Sequence, residues 1–149
     1  IVLKRELMLI PFFGWGLWQL RSIAVDRGAG ASAVNQVVHK GTARLREGLS
    51  LLVFPEGTRM AAGETRRYGV SGALLASRAG CVVVPVAHDA GYLWPRRGLL
   101  KRPGTITLVI GPPIAAAGRD PREVNDEAQV WIETTIAQLR ADKGRPVHP

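Results

Sequence analysis

Leu51-Leu52-Val53-Phe54-Pro55-Glu56-Gly57-Thr58-Arg59 passes from apolar to polar at its fifth residue. The apolar start, with a β-branched and an aromatic member, predicts a buried strand over residues 50–54. Pro55 stops it, because proline has no N–H to give to a ladder. A carboxylate, a glycine, a hydroxyl and a guanidinium follow in order. In an open α/β sheet, ligands bind in the crevice beyond the carboxyl ends of the strands. Gly57 lets backbone approach a ligand closely, Thr58 offers a hydroxyl, and Arg59 offers a planar fork suited to phosphate. The residues therefore read as a strand-end site for an anionic group. An exposed turn holding an ordinary ion pair is the other reading they allow.

Upstream, Ala31 to Glu47 predicts a helix with Val34, Val37, Val38 and Leu45 on one face, ended by Gly48. Ile23 to Val25 predicts a short strand, and Gly28 and Gly30 the turn after it. In residues 1–20, Lys4 and Arg5 precede an apolar run rich in Phe and Trp, which Pro11 splits into two short helical pieces. Aromatics beside basic groups suit a membrane interface, and a buried helical hairpin is equally consistent.

Downstream, a polar loop over 60–70 holds Arg66 and Arg67. Ser71 to Arg78 predicts a helix stopped by Gly80, with Ser71 as its N-cap. The valine-rich run 81–87 predicts a strand covered on both faces. A long loop over 88–103 follows, and Thr105 to Ile110 predicts a strand closed by Gly111-Pro112-Pro113. Asp120-Pro121-Arg122-Glu123 is a helix start: an N-cap, a first-turn proline and a capping-box glutamate. Val124, Ala128, Trp131, Ile132, Ile136 and Leu139 form its apolar stripe. Strands alternating with helices predict one α/β domain over residues 1–149, with a mainly parallel central sheet flanked by helices.

A chain of 149 residues, 46% hydrophobic and 21% charged, carries enough apolar surface for a core and excludes a disordered segment. Its one cysteine, Cys81, excludes an intrachain disulfide. No run of 18 apolar residues exists to span a bilayer as a helix. The net charge of +8 implies an anionic partner: phospholipid surface, phosphorylated substrate, coenzyme or nucleic acid.

Phe54-Pro55-Glu56-Gly57-Thr58-Arg59 also resembles the Glu-Gly-Thr-Arg signature of the phospholipid and glycerol acyltransferases, and most of all the 1-acylglycerol-3-phosphate acyltransferases. Lys4-Arg5-Glu6-Leu7 with Ile10 to Trp15, Ile23-Ala24-Val25-Asp26-Arg27, Val83 to Ala87 and Ile110 to Ile114 resemble other blocks of that family, in its order. The resemblance implies transfer of an acyl chain from acyl-CoA or acyl-ACP to lysophosphatidic acid, giving phosphatidic acid, with no further cofactor and no nucleic acid. It implies that Arg27 and Arg59 hold the acceptor phosphate, that Glu56 orients the loop, and that Gly57 and Thr58 complete the substrate-binding set. It implies a place at the cytoplasmic face of a membrane, the inner membrane if the source is bacterial. The loop residues Trp94, Arg96, Arg97, Lys101 and Arg102 are the expected membrane contact. The family's first block, His-x4-Asp, has no counterpart here: Arg44 follows His39 by five residues, Leu93 follows His88, and His148 is next to last. The expectation is therefore an N-terminally truncated domain without its catalytic pair, inactive alone. Where the family usually has an aromatic residue, a lysine and a glycine, Tyr68 matches but Gly69 replaces the lysine, with Arg66 or Arg67 as the nearest substitute cation.

Three further patterns compete. Gly28-Ala29-Gly30-Ala31-Ser32-Ala33 fits G-x-G-x-x-A, which would make the chain a nucleotide-binding α/β module, although Asp26-Arg27 separates strand from glycine. Gly69-Val70-Ser71-Gly72-Ala73 approaches a nucleophile elbow but lacks the apolar strand such an elbow needs. His88 and Asp89, adjacent in sequence, do not make an oriented base, and no cluster has metal-ligand spacing. A non-catalytic basic domain on an anionic membrane is the remaining alternative.

Overall fold

The computed structural model describes residues 1–26, 30–96 and 100–143. Strand β1 (Val2–Lys4) leads through a 3-10 turn (Arg5–Leu9) into helix α1 (Phe13–Gln19) and strand β2 (Ile23–Val25). Helix α2 (Ala31–Arg46) and helix α3 (Ser71–Ala79) flank the turn that carries Glu56 to Arg59. Strands β3 (Val82–Val83), β4 (Val86–His88), β5 (Leu108–Ile110) and β6 (Ile114–Ala115) follow, and helix α4 (Pro121–Asp142) closes the order.

The α/β class holds. The expectation of mainly parallel pairing is corrected: among the described residues β1 pairs with β2 in parallel, whereas β3–β6 and β4–β5 are antiparallel. Prolines explain the fragmentation. Pro85 breaks the predicted strand 81–87 into β3 and β4, and Pro112-Pro113 separates β5 from β6. Between the pairs Val83↔Ile114 and Val86↔Ile110, the outgoing chain has Val84 and Pro85, and the returning chain has Gly111, Pro112 and Pro113. That extra residue is a bulge, and it flips the alternation of side chains. Ile110 consequently faces outward at 68% exposure, while Ile114 is buried at 6%. The predicted strand 50–54 is extended but belongs to no ladder; Val2 N–H donates to the Leu52 carbonyl at 3.1 Å.

Helices cover one side of this framework. Val83 and Cys81 pack on Ala73, Ala76, Ile114, Ala116, Val124 and Ala128, which joins α3 and α4 to β6. Leu75, on the same helix α3, joins Ile23, Val25, Val37 and Val38 in a second cluster with α2. Among the described residues the other side is bare, against the expectation that the valine run is covered on both faces. Leu52, Phe54, Val82, Val84, Leu108 and Ile110 are all exposed.

Local signals account for the helix ends. Asp120 accepts from the Arg122 N–H at 2.8 Å, as the capping pattern predicts. At the end of α2, Gly48 N–H donates to Leu45 and Leu49 N–H to Arg44, the Schellman arrangement, with Gly48 at φ +79°. Ser71 is corrected from cap to first helical residue: the cap position is Val70, and no side chain bonds there. In α1, Gly14 and Leu17 are buried, while Trp15 and Trp18 are exposed at 67% and 75%. The aromatic segment is not a buried hairpin.

Candidate functional site

Pro55 and Glu56 form the centre of a β-turn closed by Gly57 N–H donating to the Phe54 carbonyl at 3.1 Å. Proline at the second turn position and glycine at the fourth suit this geometry. Gly57 sits at φ +68°, so a side chain there costs strain. The turn is fixed from behind, because Gly69 N–H donates to the Pro55 carbonyl at 2.8 Å and a Cβ on Gly69 would lie 3.3 Å from that oxygen. A side chain at position 69 would press on that carbonyl by a few tenths of an ångström; glycine lets the two segments touch. From below, the Val53 side chain packs on Gly72 of α3.

Glu56 and Thr58 are half-buried, and Gly57 and Arg59 are exposed. Glu56 and Arg59 do not pair, so the turn is not an ordinary ion pair: among the described residues Arg59 has no ion-pair or hydrogen-bond partner. Its guanidinium is an unoccupied fork at the end of an extended segment. Arg27, the other expected phosphate ligand, lies outside the described residues, as do Gly28, Ala29, Arg97 and His148.

Behind the turn, Tyr68 is buried and its hydroxyl donates to Glu133 at 2.9 Å. Burial first, then the bond and the negative charge of Glu133, with a smaller contribution from Glu56, push this hydroxyl far above the ordinary tyrosine range. It is a neutral donor and structural post. The bond to Glu133 spans 65 residues, and no local pattern announces it.

Of the competing motifs, the glycine pattern lies partly outside the described residues. Gly30 is the residue before α2, at φ +51°. Residues 66–69 preceding Ser71 form no strand, so Ser71 is not on an elbow. His88 is exposed, with Nδ1 accepting from the Ala90 N–H at 3.3 Å. Asp89, 1% exposed, pairs with Lys143 and accepts from the Thr107 N–H at 2.8 Å. Lys143 also donates to Thr107 Oγ1 at 2.6 Å and to the Thr105 carbonyl at 3.1 Å. This buried pair ties β4 and the segment before β5 to the end of α4. Among the described residues no group of three or more metal-ligating side chains exists, and no helix is long and apolar enough to cross a membrane.

In the loop expected at the membrane, Trp94 is 62% and Leu100 77% exposed. The Lys101 ammonium lies 5.3 Å from the Trp94 ring centroid. Arg96 and Arg102 are exposed.

A family model described as Acyltransferase matches residues 1–89, the region that contains the whole strand-end turn. A 1-acyl-sn-glycerol-3-phosphate acyltransferase of Pseudomonas aeruginosa is 44% identical over 151 residues, covering 99% of this chain and 59% of that protein. The enzyme of that name from Cocos nucifera is 26% identical over 125 residues, covering 83% of this chain and 41% of its own length. The crystal structure of the 1-acyl-sn-glycerophosphate (LPA) acyltransferase PlsC from Thermotoga maritima superposes with a TM-score of 0.78 at 26% identity, over 94% of this chain and 56% of that one. The chain thus spans less than two thirds of the length of these relatives. A match over more than half the chain, which includes the Glu56 to Arg59 turn, makes this chain a member of the Acyltransferase family.

Proposed function

We propose that this chain carries the acceptor-binding part of a 1-acylglycerol-3-phosphate acyltransferase. The reaction moves an acyl group from a thioester of coenzyme A or acyl carrier protein to the free hydroxyl of lysophosphatidate. The hydroxyl oxygen forms the new ester bond, the carbon–sulfur bond breaks, and the proton leaves the hydroxyl through a general base for the departing thiolate. Arg59, with Arg27, holds the acceptor phosphate; Thr58 adds a donor; Glu56 orients the turn; Gly57 keeps it open. Positioning of this kind lowers the barrier by converting an encounter into a fixed geometry. The general base comes from outside these 149 residues, because no histidine here has an aspartate five positions on.

The observation that carries this reading is the unpartnered Arg59 guanidinium on a turn held rigid by the Gly69–Pro55 bond. Arg59→Lys in the active enzyme tests it. Lysine keeps the charge and loses the fork. The expected loss is about tenfold or more in kcat/KM for the phosphate-bearing acceptor, on the scale of one charge-assisted hydrogen bond, with thioester hydrolysis much less affected. Equal losses in both assays would remove Arg59 from the acceptor site. The protein works at the surface of an anionic membrane, an assignment supported by exposed Trp94 and Leu100 beside Arg96, Lys101 and Arg102, and by exposed Trp15 and Trp18 on α1.

A further inference from the structure

Residues 67–70 and the first turns of α4 line an open cavity of about 380 Å3 that shares no lining residue with the strand-end turn. Arg67, Tyr68, Val70, Arg122, Asn125 and Asp126 line it. Its walls are fixed by side-chain bonds between the two segments. Tyr68 N–H donates to Gln129 Oε1 at 3.1 Å, Gln129 Nε2 donates to the Arg66 carbonyl at 3.0 Å, and buried Asn125 donates to the Tyr68 carbonyl at 3.4 Å. The lining side chains therefore stand on a braced platform.

Arg67 and Arg122 come from segments far apart in sequence and meet on this one cavity. Neither guanidinium has an ion pair or side-chain hydrogen bond among the described residues. Two exposed arginines lining one small space suit an oxyanion with several acceptor oxygens. The carboxylate of Asp126 lines the same cavity and forms no ion pair either. It opposes a bare anion, but it accepts hydrogen bonds from hydroxyl or amino groups. The volume falls in the range of small-molecule sites, about 300–1,000 Å3.

We infer that this cavity binds a phosphorylated, hydroxyl-bearing group, with Arg67 and Arg122 on the phosphate and Asp126 on a hydroxyl. The inference rests on the acyltransferase reading for the source of the ligand: the nucleotide half of a coenzyme A thioester. The Gly69–Pro55 bond sets this cavity one short segment from the Glu56 to Arg59 turn, so donor and acceptor phosphates have separate cations.

Calorimetric titration of the purified chain with adenosine 3′,5′-bisphosphate, sn-glycerol 3-phosphate and inorganic phosphate, at one fixed salt concentration, tests the assignment. Saturable binding of the bisphosphate is expected. Arg67→Gln and Arg122→Gln each weaken it by about tenfold, the scale of one charge-assisted bond, and Arg66→Gln does not. Asp126→Asn weakens the bisphosphate yet tightens inorganic phosphate, because it removes both a hydroxyl acceptor and a repulsive charge. Glycerol phosphate binding with the same dependence on both arginines supports the phosphate site and assigns it to the acceptor. No saturable binding by any probe, or an equal loss from Arg66→Gln, overturns the site. Binding needs no turnover, so an enzyme that carries its general base and still fails to transfer acyl groups, while Arg67-dependent binding persists, refutes the proposed function alone. An active enzyme whose KM for the thioester ignores Arg67→Gln refutes the donor assignment alone.

Discussion

Replacing Lys143 by methionine tests whether the buried Asp89 pair anchors the end of α4. The substitution keeps the length of the side chain and removes the ammonium. Asp89 then stays buried and keeps its Thr107 N–H bond, but it loses the Lys143 ammonium. Removing one partner of a buried pair costs about 3–5 kcal/mol, because the remaining charge stays desolvated. The Lys143 side chain is 26% exposed, so water reaches the ammonium and moderates the loss. We place the expected destabilisation near the lower end, at about 3 kcal/mol. At about 4 °C per kcal/mol for a domain of this size, the melting temperature falls by about 12 °C. Thermal and urea unfolding of the wild type, the single variant and Asp89→Asn/Lys143→Met measure it. The double variant removes the stranded charge, so it recovers about 2 kcal/mol of coupling. A single variant that melts within about 2 °C of the wild type, or a double variant no better than the single, refutes the argument.

Tyr68→Phe removes the bond to Glu133 and costs about 1 kcal/mol at neutral pH. It also changes the alkaline limb. The unfolded tyrosine ionises near pH 10, the folded one at higher pH. Stability is thus full below about pH 10 and declines above it by up to about 1.4 kcal/mol per pH unit. Denaturation between about pH 9 and 11.5 reads that slope, which is shallower in the phenylalanine variant; parallel slopes contradict the burial account. Arg96→Ala/Arg97→Ala weakens sedimentation with anionic vesicles at low salt by about 1 kcal/mol per residue, and the difference fades as salt rises. Unaltered binding moves the docking surface to Lys4 through Trp18. The purified 149-residue chain shows no turnover of acyl-coenzyme A with lysophosphatidate; sustained release of thiol with formation of phosphatidate contradicts the assignment of the general base.

What was legible in the sequence was local. Asp120, Pro121 and Glu123 announce α4, Gly48 and Gly80 end α2 and α3, and Pro11 separates two helical pieces. The Pro55–Gly57 turn was equally readable, since proline presets φ at the second position and glycine tolerates the positive φ at the fourth. Pairing was not readable. Strand β6 exists only because residues 114–115 find Val82 and Val83 across the bulge, and a hydrophobic run carries no signal for its partner's register. Ser71 looked like a cap because hydroxyls favour that position, but it is the first helical residue, and the cap position is Val70, where no side chain bonds. In the site, Arg59 and Glu56 were visible as chemistry, whereas their lack of mutual pairing was not. The cavity with Arg67 and Arg122 joins residues 55 positions apart through Tyr68, Gln129 and Asn125, and contacts of that separation leave no periodic trace.

The uncovered face bearing Leu52, Phe54, Val82, Val84, Leu108 and Ile110 governs how this chain behaves in a test tube. An apolar patch of that kind is an adhesive. Copies meet through it as concentration rises, fluorescent apolar dyes bind to it in the folded state, and mild detergent or polar replacements at these even-numbered positions suppress both effects. Because Leu51, Val53 and Val83 point to the helices instead, such replacements leave the core untouched. The alternation of side chains thus separates the residues that can be changed for handling from those that hold the fold.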